Sequence, residues 1–183
     1  KTDNKSNLLE IKILQVNFLN GDDNIINDIN TLLKKTKDKN SIYNDLLDLQ
    51  AMILSFKDNQ ELLKKFTDIQ LLIFQNKRTQ AINKLIEVYS ITENELLIND
   101  IAISQLSYLL LLQGETSEAI NYLNEISYET IFSEFSYILK AEIFDFILNN
   151  KEEAVNIYLD FLDKYPLSIF YDDIRIRLRE VAS

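Results

Sequence analysis

Gln75-Asn76-Lys77-Arg78-Thr79-Gln80-Ala81-Ile82 decides the fold, because the chain writes it again. It returns as Gln113-Gly114-Glu115-Thr116-Ser117-Glu118-Ala119-Ile120 and, more loosely, as Asn149-Asn150-Lys151-Glu152-Glu153-Ala154-Val155. Each copy is a polar turn that opens a helix with an alanine followed by a branched aliphatic residue. The alanines at 81, 119 and 154 are spaced by 38 and then 35 residues, a period that marks helix-turn-helix repeats. Alanine belongs where the second helix of a hairpin crosses closest to the first, since a larger side chain would push the pair apart. Four and seven positions downstream stand Leu85 and Val88, Leu123 and Ile126, and Tyr158 and Phe161. These are expected to form the face on which the next unit stacks.

Outward from the turns, apolar residues recur at helical spacing along nearly the whole chain. The pattern predicts about ten helices: Asn7–Phe18, Ile25–Lys35, Ser41–Phe56, Asp58–Gln75, Thr79–Tyr89, a sixth ending at Gln113-Gly114, Ser117–Glu125, Glu129–Leu148, Glu152–Tyr165 and Ser168–Val181. Gly21 is expected to close the first helix in the left-handed conformation. Asp22 or Asp23 is expected to cap the second and Ser41 the third, and Thr92 with Glu95 has the spacing of a capping box. Only two glycines and one proline occur in 183 residues, too few for the tight turns of strand-rich folds. The class expected is all-α.

Histidine and cysteine are both absent, which removes Ser-His-Asp triads, thiolate nucleophiles and zinc sites built from those ligands. Asn20-Gly21-Asp22-Asp23-Asn24 has residue types suited to calcium but no closing glutamate, and reads as a helix-helix turn. The carboxylate pairs Glu152-Glu153 and Asp172-Asp173 fall at expected helix starts, where they offset the dipole. No catalytic, cofactor-binding or metal-ligating set is assigned. The net charge of −10 opposes binding to nucleic acid or to an anionic membrane surface. The longest wholly apolar run, Leu109 to Leu112, is far short of the roughly 20 residues of a membrane span. The sequence starts at Lys1 rather than methionine, so a further segment is expected upstream.

The unit Ile98 to Ile126 holds the order Leu-x7-Gly-x4-Ala as Leu106, Gly114 and Ala119. The last unit ends in Phe161-Leu162-Asp163-Lys164-Tyr165-Pro166, and Tyr165-Pro166-Leu167-Ser168-Ile169-Phe170-Tyr171-Asp172-Asp173 follows. In these features the chain resembles the tetratricopeptide repeat family, and in its ending the repeat proteins of bacterial cell envelopes, of bacteroidete type. The resemblance implies a right-handed superhelical solenoid of antiparallel helix pairs. Residues 1–57 would be a degenerate N-terminal repeat region, and 58–183 better-kept repeats with a C-terminal closing helix, in one continuous array.

It also implies a groove lined by the first helix of each pair, which places Ile101, Ser104, Tyr108, Leu111 and Leu112 as candidate contacts for an apolar peptide or for another helix of this chain. Three of the four arginines, Arg175, Arg177 and Arg179, make a basic end in an acidic chain. That end is a candidate contact for an acidic partner or a second copy, unless it pairs with Asp172, Asp173 and Glu180. Replacing all three by glutamine is expected to leave folding intact. The aromatic residues from Tyr122 to Tyr171 are spaced for a core, and any tyrosine left outside would be a contact anchor.

The function expected is therefore a non-catalytic scaffold for a protein or peptide partner, in an envelope assembly. A peptide- or small-ligand-sensing helical-repeat regulator is the alternative, and an enzyme subunit a third reading.

Overall fold

The computed structural model describes residues 2–21, 24–36 and 41–182. Among them lie ten α-helices and no strand: α1 Thr2–Leu19, α2 Ile25–Lys35, α3 Ser41–Ser55, α4 Gln60–Phe74, α5 Arg78–Ile91, α6 Leu96–Gln113, α7 Thr116–Asn124, α8 Phe132–Glu142, α9 Lys151–Lys164 and α10 Tyr171–Val181. A π-helical turn, Ile143–Ile147, continues α8. The fold class is all-α, as the spacing of apolar residues predicts. Asp22, Asp23 and the Ser41 side chain, expected as caps, lie outside the described residues.

Several helix starts differ from expectation, among them α1 at Thr2 rather than Asn7 and α10 at Tyr171 rather than Ser168, and at three the hydrogen bonds give the reason. α4 is capped by Asn59, whose side chain accepts the Leu62 N–H at 3.0 Å, rather than opening at Asp58. Thr92 and Glu95 do not form a capping box. Thr92 is buried, and its hydroxyl donates back to the Val88 carbonyl at 2.9 Å while accepting Asn99 Nδ2 at 3.1 Å. It therefore ties the end of α5 to the start of α6. Finally, α8 begins at Phe132 and not near Glu129, because Ser127 and Thr130 are bonded to Asp100 of α6.

The chain forms two compact units, Lys1–Lys84 and Leu85–Ser183, and α5 runs through their boundary. In the first, α1 packs against α2 and α4, and α2 against α3. Leu14 and Phe18 of α1, Ile25, Ile29 and Leu32 of α2, and Leu46 and Ile53 of α3 make one core. The α2 residues fall at i, i+4 and i+7, the stripe an amphipathic helix turns inward.

In the second unit each helix lies on the next. α6 packs on α7 and α8, α7 on α8, α8 and the π-turn on α9, and α9 on α10. Ile103, Leu123, Ile126 and Ile143 form one cluster. Tyr137, Ala141, Ala154, Tyr158, Phe161, Ile174 and Val181 form another. By length and a mean hydropathy of 1.4 the 18-residue α6 passes as a membrane-spanning helix. Ten of its residues are buried inside the protein, however, including Asp100, Ser104 and Ser107. It is buried by packing against α7 and α8.

The three repeated turns share a left-handed residue and the register that follows it. Each places a residue in the left-handed region: Asn76 at φ 58°, Gly114 at 84° and Asn149 at 51°. Glycine and asparagine are the residues that reach this region at least cost. In each case a new helix starts two residues later, at Arg78, Thr116 and Lys151. Ala81, Ala119 and Ala154 follow at the same register, each fully buried. At the first two turns the N–H of Lys77 bonds the Leu72 carbonyl and that of Glu115 the Leu110 carbonyl, at 2.9 and 3.0 Å. This is the Schellman closure. At the third, Asn150 reaches back to Phe144 at 2.8 Å, one residue further, because the π-turn adds a residue to the preceding helix. The six positions downstream, Leu85, Val88, Leu123, Ile126, Tyr158 and Phe161, are all buried.

Candidate functional site

α6 is apolar on nearly every side, so its surroundings rather than its sequence select which residues meet solvent. Of the five groove candidates, Ile101 and Ser104 are buried inside the protein. Leu111 is half-buried against the cluster of Ile103 and Leu123. Only Tyr108 and Leu112, one turn apart, are exposed, at 57% and 45%. The structure thus leaves two of the five as an open face. The Ser104 hydroxyl is buried without a hydrogen-bond partner.

The basic end is also divided. Arg175 pairs with Asp172 at 3.1 Å across one turn of α10, and Arg179 is exposed. Arg177 points inward. Its Nε and Nη2 donate to the two oxygens of Asp145 at 2.7 and 3.0 Å, and its Nη1 donates to Glu180 at 2.9 Å. Its guanidinium also lies 4.4 Å from the centre of the Phe146 ring. The Asp145 side chain is only 4% exposed, and it accepts the Tyr158 hydroxyl at 3.3 Å as well. Burial, with the Asp145 charge beside it, pushes the Tyr158 hydroxyl up to about 12. Burial and the same charge raise Glu142. The Asp145 bonds raise Arg177 above its ordinary value and keep it a cation. Arg177 therefore ties α10 to the π-turn: of its two carboxylate partners, Glu180 was among those expected and Asp145 was not.

Asp100 ties a loop down in the same way, within the preceding hairpin. It is 1% exposed on α6 and accepts the Ser127 N–H on both oxygens, at 3.1 and 3.2 Å, and the Thr130 hydroxyl. These bonds draw the α7–α8 loop onto α6. Burial raises its carboxyl above the ordinary 3.8, with the Thr130 and Ser127 bonds opposing. The folded chain thus keeps this proton to higher pH than the unfolded chain does. The contribution is fully present below the unfolded value and is lost as pH rises through the folded one. Urea unfolding at a series of pH values should therefore show wild type losing stability relative to Asp100→Asn as pH rises from below 3.8. Wild type gaining stability relative to the variant as pH rises would contradict the assignment.

Both acids could have been flagged from sequence as lone charges in apolar runs, Ile98-Asn99-Asp100-Ile101 and Ile143-Phe144-Asp145-Phe146-Ile147. Nothing local names their partners.

Two loops of the second unit carry its four most exposed apolar side chains, Leu167, Ile169, Ile131 and Tyr128, with others beside them. The α7–α8 loop and the start of α8 present Tyr128 (70% exposed), Ile131 (81%) and Phe135 (43%). The α9–α10 loop presents Leu167 (96%), Ile169 (87%) and Phe170 (44%). The loops are fastened side by side: Ser168 Oγ donates to Glu134 at 2.5 Å, and Ser133 shares a hydrogen bond with Tyr165. Beside them Lys164 bonds the Tyr137 hydroxyl and lies 5.3 Å over the Tyr128 ring, while Lys140 lies 4.8 Å over Tyr137 and bonds Asn124. Tyr137 is buried, as helical spacing predicts, whereas Tyr128, like Tyr108, is exposed.

The unit described is an all-α stack with two buried carboxylate ties and one exposed apolar loop face. No family model matches the chain, no curated protein matches it, and no solved structure matches it.

In the first unit a cleft of about 560 Å3 opens between the ends of α1, α2, α3 and α4. Phe18, Ile25, Ile53, Leu63, Lys64 and Asp68 are among the residues on its wall.

Proposed function

We propose that the chain is a non-catalytic helical-repeat scaffold of tetratricopeptide-like architecture, whose hairpins stack as a right-handed solenoid and hold a protein partner within a bacterial envelope assembly. The observation that carries this is the recurrence of one turn geometry at Asn76, Gly114 and Asn149, each followed at the same register by a fully buried alanine. A turn that recurs with a buried alanine at one register after it is the pattern expected of stacked helical hairpins, which is how repeat arrays are built. Sequential contacts of α6 through α10 support stacking in the second unit. Arrays of this kind work by offering extended surface, and the apolar loop face is surface of that sort.

Affinity capture with the full-length protein from its native cells, followed by reconstitution from purified components, tests the reading. A stoichiometric complex with a defined protein partner is the result expected. A chain that remains alone in reconstitution, or that turns over a substrate, would overturn it.

The cleft in the first unit favours a second reading, a regulator that senses a peptide or small ligand. That reading requires a ligand to raise the unfolding temperature of wild type and not that of a Leu63→Arg variant, in which the cleft is filled.

A further inference from the structure

The charge of this protein is divided very unequally. Residues 1–84 contain 13 basic and 11 acidic side chains, whereas residues 85–183 contain six and 18. The whole negative excess, and more, therefore resides in the second unit. Solubility alone needs no such asymmetry, and a field of one sign favours association with the opposite sign. Of the six cations, Arg177 is spent on Asp145 and Arg175 on Asp172, while Lys140 and Lys164 are turned onto tyrosine rings. The acids have fewer internal commitments, and Glu129, Asp163, Asp172 and Asp173 are exposed at or beside the two loops.

Within that acidic unit sits the apolar loop face of Tyr128, Ile131, Phe135, Leu167, Ile169 and Phe170. Leu167 at 96% and Ile169 at 87% exposure gain nothing for folding where they stand. The hydrogen bonds between Ser168 and Glu134 and between Ser133 and Tyr165 hold the end of α9 and the α9–α10 loop against the first turn of α8, which brings the two apolar sets near each other. An apolar centre with a charged rim is the anatomy of a binding patch. Here the exposed rim carries the carboxylates of Glu129, Asp163, Asp172 and Asp173, with Lys164 set against the Tyr128 ring.

We infer that this loop face docks a cationic, apolar segment of a partner protein, its leucine-like side chains against Ile131, Leu167 and Ile169 and its lysines or arginines toward the surrounding carboxylates. The inference rests on the scaffold reading and names its site and the chemistry of its partner. Apolar burial supplies the affinity and the acidic rim the choice of sign and the rate of encounter.

The test uses two synthetic amphipathic peptides, one of leucine and lysine and one of leucine and glutamate, with binding followed by fluorescence anisotropy. Full-length wild type is compared with the variant Ile131→Ser, Leu167→Ser, Ile169→Ser, which leaves net charge unchanged. Leu167→Ser alone, at the most exposed position, serves if the triple variant does not fold. The leucine-lysine peptide should bind wild type, weaken about tenfold or more in the variant, and weaken with added salt. The glutamate peptide should not bind.

Equal binding of the lysine peptide by the serine variant would show charge attraction without the patch and overturn the inference. Failure of the lysine peptide to bind wild type would overturn it too. So would self-association that the same substitutions abolish without any peptide binding, since the occupant would then be a second copy. A native partner retained by the serine variant would sink the loop face while leaving the scaffold reading intact. Absence of any native partner would sink the scaffold reading itself.

Discussion

Arg177→Gln is expected to lower the unfolding temperature sharply, whereas Arg175→Gln and Arg179→Gln leave it nearly unchanged. The three arginines stand at alternate positions of one helix, yet only Arg177 faces a carboxylate whose side chain is 4% exposed. Glutamine removes the positive charge and the forked pair of N–H donors that meet both Asp145 oxygens. Asp145 is then left with the Tyr158 hydroxyl at 3.3 Å as its remaining neutral donor. A buried carboxylate stripped of its counter-ion ranks among the most destabilising consequences of a single substitution. Arg175, by contrast, belongs to an exposed pair with Asp172, and such pairs are worth little. Arg177→Lys should fall between, because a point charge replaces the fork. Asp145→Asn placed on top of Arg177→Gln should recover some of the loss. Thermal unfolding followed by circular dichroism reads all of these. Equal shifts for the three arginines would mean that the tie to the π-turn does not hold α10.

Replacing the hairpin alanines should have the next largest effect. Ala81→Leu, Ala119→Leu and Ala154→Leu each force additional carbon atoms into a site with no exposed surface. Overpacking of a filled interior costs about 1–3 kcal/mol. For a chain of this length that corresponds to a fall in unfolding temperature of roughly 2–4 °C per kcal/mol. Ala51→Leu, on an exposed face of α3, is the control, since the two residues differ little in helix propensity. The decisive feature is agreement among the three sites. If one tolerates leucine and the others do not, the turns are alike in backbone but the helices they join do not cross alike, and the repeat reading fails.

How much was legible depended on the range over which each signal acts. α2 spans the very residues its periodicity predicts, because a stripe of Ile25, Ile29 and Leu32 on a short amphipathic helix has one way to face inward. Gly21 and Gly114 take the left-handed conformation expected of glycine after a helix. Asn76 and Asn149 occupy the position that Gly114 holds, which the sequence marks only through the alignment of its turns. Thr92 shows the limit of a short motif. Its spacing to Glu95 is that of a capping box, but the hydroxyl is closer to the carbonyls that end α5 and bonds there. α6 shows the limit of amphipathic reasoning. With apolar residues on every side, nothing in its sequence separates Tyr108, which is exposed, from Ile101, which is not.

By itself the sequence determined that this chain is helical, where its repeated turns fall, and which alanines after them are buried. Those features are set within a few residues by backbone sterics and side-chain period. Tertiary structure alone decided that Arg177 meets Asp145 across 32 residues and that Asp100 gathers a loop 27 and 30 residues away. It also decided that the α9–α10 loop is bonded to the first turn of α8, Ser168 to Glu134 across 34 residues. Partners at such separation are chosen by how whole helices stack, and a buried charge or an exposed leucine acquires its meaning only from what the stacking places beside it.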